Sequence, residues 1–421
     1  MTTATKPTDG ATTEEKARSI EWEDLAPAQL EALAARSRAI GWREALDEVE
    51  SLRPFFVKRL RNLPLGNWHL LRLLPADSRA LDLGCGFGTL ALGLADYYRR
   101  VVGMDALWSR VSYGALRARE DARATTFAEG SGLALPFREL AFDLVTMNGV
   151  LEWAALYAEG APRALQLRML AEARRVLAPR GTLAVAIENR FAMETLVGMP
   201  DTHTQLRLVP ALPRAAAGLV SRVAQRRPYR TFLYDAAGYR RLFRDAGFRN
   251  ARALDLVSSY NDYDFVVDPG DASTYALLWR RGLVRSFVPR AERARRVLAR
   301  RWPAALGRLG YAFLVLGGDD VSTVLDAEHP LWARAAREGV DAGRARFACQ
   351  GATPGSLALV AHDGERLTGA IELSVQPLGD ADALLVLPEK TRRALGARVR
   401  RVARWTEGPL TIQCHRVTDT Q

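Results

Sequence analysis

The chain has 421 residues and a formal net charge of +11, from 59 basic against 48 acidic side chains. That length exceeds the usual single domain, so a large core domain with one or two smaller pieces is expected. Three scattered cysteines, Cys85, Cys349 and Cys414, exclude a disulfide framework or a cysteine zinc site and point to a reducing cytoplasm, and no apolar run approaches the length that spans a bilayer.

The opening residues carry no basic-apolar leader pattern, and residues 1–20 read as a disordered tail. Over 21–75 the pattern is helical, with Leu25, Leu30, Leu33, Ile40, Leu46 and Val49 recurring on one face and Gly41 as punctuation. Trp68 then leads toward the first strand, and core packing is its expected role.

The stretch Arg79 to Thr89, R-A-L-D-L-G-C-G-F-G-T, is a short buried strand broken at Gly84, Gly86 and Gly88. Such a turn lets the backbone approach a ligand where a side chain would clash. A helix through Leu90, Leu94 and Tyr98 follows, then a second strand, Arg100 to Asp105, ending in an acid. Asp105 lies where a βαβ unit places a ribose-binding carboxylate, and a carboxylate accepts from both ribose hydroxyls. Further strands are expected at Thr125 to Ala128, Phe142 to Met147 and Thr182 to Ile187, with a helix at Pro162 to Leu177. This alternation predicts a parallel sheet covered on both faces.

Thr89 stands where a nicotinamide-binding turn wants its last glycine. The D-x-G-x-G-x-G spacing of Asp82, Gly84, Gly86 and Gly88 resembles instead the class I S-adenosylmethionine-dependent methyltransferases. G-S-G-L-A-L-P-F at Gly130 to Phe137, F-D-L-V at Phe142, N-G-V-L-E-W at Asn148 and E-A-R-R-V-L-A-P-R-G at Glu172 are similar to later motifs of that family, with Ser131 where aspartate is more usual and Arg180 where glycine is. The resemblance implies a Rossmann-like α/β fold with a seven-stranded sheet whose last strand, Tyr311 to Gly317, is antiparallel, and S-adenosylmethionine as cofactor. It assigns cofactor binding to Asp82, Gly84, Cys85, Gly86, Gly88, Asp105, Ala106, Ser131, Gly132 and Asn148. Cys85 reads as a small filler.

After Glu188 and Asn189 the alternation stops, and residues 190–231 form an insertion containing M-P-D-T-H-T. It resumes with a helix at Asp235 to Ala246 and a strand near Ala251 to Val257. I-E-N-R, P-D-T-H-T, D-A-G-F and N-D-Y, in chain order, resemble a bacterial branch associated with surface-polysaccharide and related glycoconjugate gene clusters, which implies a sugar or polyol hydroxyl as acceptor. His203 is the candidate base, because imidazole titrates near neutrality, with a structural role in the loop as the equal alternative. Glu188 and Asp262 are the backups, Asn189, Tyr260 and Tyr263 are expected at the acceptor, and no metal is expected. For each tyrosine, core packing is the plainer alternative.

Arg280 to Arg308 is a basic helical stretch, read as a solvated face or as a contact for phosphates or a membrane surface. Beyond residue 319 the pattern predicts a small α+β appendage for substrate capture or homodimerisation, with a helix at Pro330 to Glu338, strands at Arg344 to Gln350, Ser356 to His362 and Ala370 to Val375, a helix at Glu389 to Trp405 and a last strand at Leu410 to His415. The leading expectation is an O-methyltransferase of a small-molecule or glycoconjugate acceptor. Nucleic-acid methylation is a second reading, suggested by the charge and opposed by the absence of N-P-P-Y, D-P-P-Y and Pro-Cys sequences. A non-catalytic cofactor-binding scaffold is a third.

Overall fold

The computed structural model describes residues 27–48, 54–156, 158–379, 384 and 398–418. The tail expected over residues 1–20 lies outside them, as does the first part of the helix expected at Glu389 to Trp405.

The strands are β1 (Arg79–Leu83), β2 (Arg100–Asp105), β3 (Thr125–Glu129), β4 (Phe142–Asn148), β5 (Leu177–Glu188), β6 (Asn250–Val257), β7 (Phe265–Val267), β8 (Ala312–Gly318), β9 (Ala345–Gln350), β10 (Ser356–His362), β11 (Leu367–Ser374), β12 (Arg398–Glu407) and β13 (Leu410–Thr418). Among the described residues they form one sheet in the order β12-β13-β11-β10-β9-β7-β6-β8-β5-β4-β1-β2-β3. The half from β3 to β5 is parallel, and β8 lies antiparallel between β5 and β6.

Strand periodicity explains why this half is buried on both faces. Along β5, Ala184 and Ala186 join one core while Leu183, Val185 and Ile187 join the other. Along β8, Leu314 and Leu316 face the first core, and Phe313 and Val315 the second. The first core is filled by Leu65, Trp68 and Leu70 of the 3-10 segment Leu63–Arg72, the second by Leu165, Met169 and Leu170 of the helix Pro162–Val176. Trp68 is thus a core residue.

Two expectations are corrected. The sheet is not seven-stranded: the seven strands β3-β2-β1-β4-β5-β8-β6 sit inside a sheet of thirteen described strands. The region after 319 extends that sheet, because β7 pairs with β6 on one side and β9 on the other. The same apolar face continues into Leu357, Leu359, Ile371 and Leu373, covered by Leu331 and Trp332 of the helix Pro330–Arg337. The second correction is β12, which replaces the expected helix from Arg398 onward; it pairs antiparallel with β13 along its length.

Asn67 fastens the two ends of the molecule together. Its side-chain amide donates to Thr353 O at 2.8 Å and its carbonyl accepts from Gly355 N at 2.8 Å, both in the β9–β10 turn. Asn67→Ala therefore leaves the buried Gly355 N without its acceptor, while Thr353 O keeps the bond from Ser356 Oγ at 2.6 Å, and is expected to cost about 1–3 kcal/mol, read as a lower denaturation midpoint with one cooperative transition retained; separate transitions for the two halves would show that they are not one folding unit.

Candidate active site

A cavity of about 390 Å³ opens at the carboxyl ends of β1, β2 and β4. Its floor is the turn after β1. Gly84, Gly86 and Gly88 have φ of +74°, +53° and +83°, a region that favours glycine. Their surroundings differ. A Cβ on Gly84 would meet Val150 Cγ2 at 2.5 Å and one on Gly88 would meet Phe127 at 2.7 Å, whereas one on Gly86 would meet nothing within 4 Å. Gly84 and Gly88 are therefore demanded by packing, and Gly86 stands at open space. Gly88 itself does not line the cavity; it starts the helix Thr89–Leu94.

Asp105 ends β2 beside this turn. Its Oδ2 accepts from Gly86 N at 3.0 Å and its Oδ1 from Leu107 N at 3.1 Å, with Arg110 Nη1 3.6 Å away. An ionised carboxylate has about four acceptor sites, so two backbone bonds leave capacity for a ligand's hydroxyls. Asp82 is buried; Oδ1 accepts from Thr146 Oγ1 at 2.9 Å, and Oδ2 makes no hydrogen bond. Burial raises its pKa to about 7, with Thr146 working against the shift. Burial also pushes the Cys85 thiol well up, which removes thiolate character. Ala106, Ser131, Gly132 and Asn148 complete the lining, with the Asn148 Oδ1 buried and without a hydrogen-bond partner. Ser131 Oγ accepts from Leu133 N at 3.2 Å within its own turn.

Arg117 is a residue that sequence reasoning missed. It is fully buried on the helix Trp108–Glu120, donates to Phe87 O and Leu60 O at 2.6 Å each and to Thr89 Oγ1 at 3.1 Å, and lies 4.3 Å from the Trp42 ring centroid. It braces the glycine turn against the N-terminal helices, from which Phe56, Arg59 and Leu60 reach the cavity. In sequence it looks like any arginine on a basic helix.

The residues expected at the acceptor are not brought together there. None of Glu188, Asn189, His203, Tyr260, Asp262 and Tyr263 lines the cavity. Tyr260 and Tyr263 are buried core side chains, so neither offers an open stacking face. Asn189 is buried, donating to Arg308 O and Gly310 O at 2.9 Å each, where it anchors the end of β5. Asp262 is half-exposed and paired with Lys58.

His203 is buried behind Trp153, their rings 4.9 Å apart, and Trp153 is the side chain that faces the cavity. Burial alone would depress the imidazole's pKa, but Glu188, Asp201 and Glu152 around it outweigh that and hold it well above its ordinary value. Glu188 shifts upward, chiefly through burial.

Residues 81–185 match the sequence profile described as a methyltransferase domain. The uncharacterized methyltransferase sll0829 of Synechocystis sp. is 30% identical over 167 residues, 36% of this chain and 74% of that protein. The chain belongs to the methyltransferase family. A malonyl-[acyl-carrier protein] O-methyltransferase of Geobacter sulfurreducens is 31% identical over 196 residues, 44% of this chain, and the match spans 62% of that relative's length. Among solved structures, the YcgJ protein of Bacillus subtilis is similar over 61% of this chain and 96% of its own, at 18% identity and a TM-score of 0.33.

The methyl donor of this domain is S-adenosylmethionine, and the cavity fits it. Gly86 is a cradle that a Cβ would fill, and the unbonded oxygens of Asp82 and Asn148 are two acceptors at the same cavity. Gly86→Ala meets no clash, so it is expected to keep the fold at a modest stability cost from its positive φ and to weaken cofactor binding at least about tenfold, because the added methyl takes ligand space. Gly84→Ala is expected to lower the melting temperature further, because the clash with Val150 adds to the strain of its positive φ. Calorimetric binding and thermal unfolding check the pair; equal cofactor affinity for Gly86→Ala and the unchanged protein would contradict the placement.

Proposed function

We propose that the protein transfers a methyl group to a hydroxyl oxygen of a saccharide-containing or related small-molecule acceptor. The observation that carries this reading is the wall formed by Trp153 and Asn148 at the carboxyl end of β4, an aromatic face beside an unpartnered side-chain carbonyl. Such a pairing suits a sugar, whose ring offers an apolar face and whose edge offers hydroxyls. The O-methyltransferase from Geobacter sulfurreducens supports oxygen as the acceptor atom.

In this reading Asp105 accepts from the cofactor's ribose hydroxyls, Gly84 and Gly86 let the backbone close on it, and Ser131 and Gly132 flank the adenine. Asp82 faces the methionine ammonium. When bound, the cofactor supplies an electrophilic methyl group on a sulfonium. The chain's own contribution is positional: Trp153 and Asn148 hold the acceptor in line, and Phe56 and Leu60 from the helix Pro54–Arg61 exclude water. His203 and Glu188 act from behind Trp153, as positioning residues rather than as groups that touch the acceptor.

One observation favours a second acceptor class. Arg59 and Arg110 both line the cavity, and guanidinium groups recognise carboxylates. A panel of sugar-bearing hydroxyl acceptors and small carboxylic acids, scored for transfer of labelled methyl, separates the two. Transfer to sugar hydroxyls, with Trp153→Ala raising KM about tenfold, is the expected result; transfer confined to carboxylates would replace the first reading by the second.

Asp82 generates a pH prediction. Its carboxyl is held near 7, so it is largely neutral below that pH and ionised above it, and an adjacent ammonium favours the ionised form. Cofactor affinity is expected to rise about three- to tenfold between about pH 6 and about pH 7.5, and Asp82→Asn is expected to flatten the rise. An unchanged profile in that variant would remove Asp82 from the cofactor's amine.

A further inference from the structure

Behind Trp153, three strand-end and loop segments bring ionisable side chains into one enclosed space. Glu152 follows β4, Glu188 ends β5, and Asp201 and His203 come from the insertion. Glu152 is fully buried, and neither of its carboxylate oxygens makes a hydrogen bond; Glu188 Oε2 is likewise buried without one. His203 Nε2 stands 3.7 Å from Glu152 Oε1 and 4.0 Å from Glu188 Oε2, beyond hydrogen-bond length in both cases. One ligand atom each from Glu152, Glu188 and His203 lies within 4.8 Å of the others.

We propose that Glu152, Glu188 and His203 form a closed site for a divalent cation of the zinc or manganese class, which clamps the 190–231 insertion onto the ends of β4 and β5. The electrostatic argument comes first. Buried carboxylate oxygens without donors are costly, and the one imidazole nitrogen that faces Glu152 Oε1 and Glu188 Oε2 stands beyond hydrogen-bond length from both. A divalent cation serves all of them at once.

The geometry of the histidine is the second argument. Asp201 Oδ1 lies 3.2 Å from His203 Nδ1, and Asp201 is itself held by Thr204, whose N and Oγ1 donate to Oδ2 at 3.0 and 2.6 Å. A carboxylate on one ring nitrogen that leaves the other turned toward further oxygen ligands is the arrangement that orients a metal-binding histidine. Thr202 Oγ1, 3.4 Å from Glu188 Oε1, constrains the second ligand in the same way.

One nitrogen and two carboxylates suit zinc or manganese better than copper(I) or calcium. Donors around a cation at about 2.0–2.2 Å stand roughly 3–3.6 Å apart, so binding draws the three groups together by some tenths of an ångström. The enclosure gives the site a structural character, since a catalytic metal needs a position open to substrate. Its effect on the cavity passes through Trp153, which packs on the His203 ring.

The test uses the full chain without cofactor or acceptor. Protein stripped with a chelator is titrated with Zn²⁺ and, separately, Mn²⁺ by calorimetry, and its melting temperature and amide exchange are followed. Saturable uptake of about one ion per chain, a melting temperature raised by about 5 °C and slowed exchange over residues 199–207 are expected. Glu152→Gln and Glu188→Gln, each checked for native circular dichroism, are expected to lose the uptake, and Asp201→Asn to weaken it at least about tenfold. The absence of saturable uptake by the unsubstituted protein, or uptake by both glutamine variants equal to that of the unsubstituted protein, would overturn the proposal.

Discussion

The backbone carbonyl of Met104 accepts two hydrogen bonds, from Gly84 N at 2.7 Å and Cys85 N at 3.0 Å. One oxygen thus ties the chain leaving β1 to the last residue but one of β2. From that tie the turn runs on with positive φ at its three glycines, and Asp105, the next residue, accepts from the Gly86 amide. Gly103 continues the constraint on the other side: a Cβ there would meet Phe127 at 2.7 Å and Cys85 Sγ at 3.1 Å. The floor of the cavity is thus a consequence of how β1 and β2 are joined. Arg117 closes it from outside by donating to the carbonyls of Phe87 and Leu60, and although burial lowers its pKa to about 10 it stays charged near neutrality.

Much of this was legible in the amino-acid order, for physical reasons that can be named. Strands buried on both faces are mostly apolar, and the expected bounds of β4 match to within one residue for that reason, whereas β5 starts five residues before the expected Thr182, at Leu177. The glycines and Asp105 stood out because each answers a backbone or spacing requirement that few residues meet. Depth was not legible. His203, Asp262, Tyr260 and Tyr263 sit in short polar stretches that look alike on paper, and the fold sends one to the surface and the others inside. Glu152 was passed over within N-G-V-L-E-W, where nothing local says that an acid will be enclosed with a histidine fifty residues on.

The C-terminal part failed to read as sheet for a different reason. The stretch R-V-R-R-V-A-R-W-T-E of β12 mixes four arginines, which suit helices, with Val399, Val402, Trp405 and Thr406, which suit strands, and pairing with β13 decides its state. Continuity with the rest runs through β7, three residues long, too short to leave a periodic signature. Long-range fasteners carry the same lesson. Glu194, buried in the insertion, is paired with Arg295 of the helix Pro289–Arg301, and also accepts from Ser286 Oγ at 2.7 Å. That pair turns a stretch read as a solvated basic face into one partly committed to holding the insertion, while Arg296 on the same helix remains exposed.

The central claim is that the glycine turn, Asp105 and the loop at Ser131 together hold S-adenosylmethionine. Amide hydrogen exchange with and without the cofactor tests it directly. Saturating cofactor is expected to slow exchange over residues 84–89, 105–107 and 130–133 and to leave the strands from β9 to β13 unchanged. Saturated binding with no slowing at those three segments, or with slowing confined to the C-terminal strands, would contradict the account.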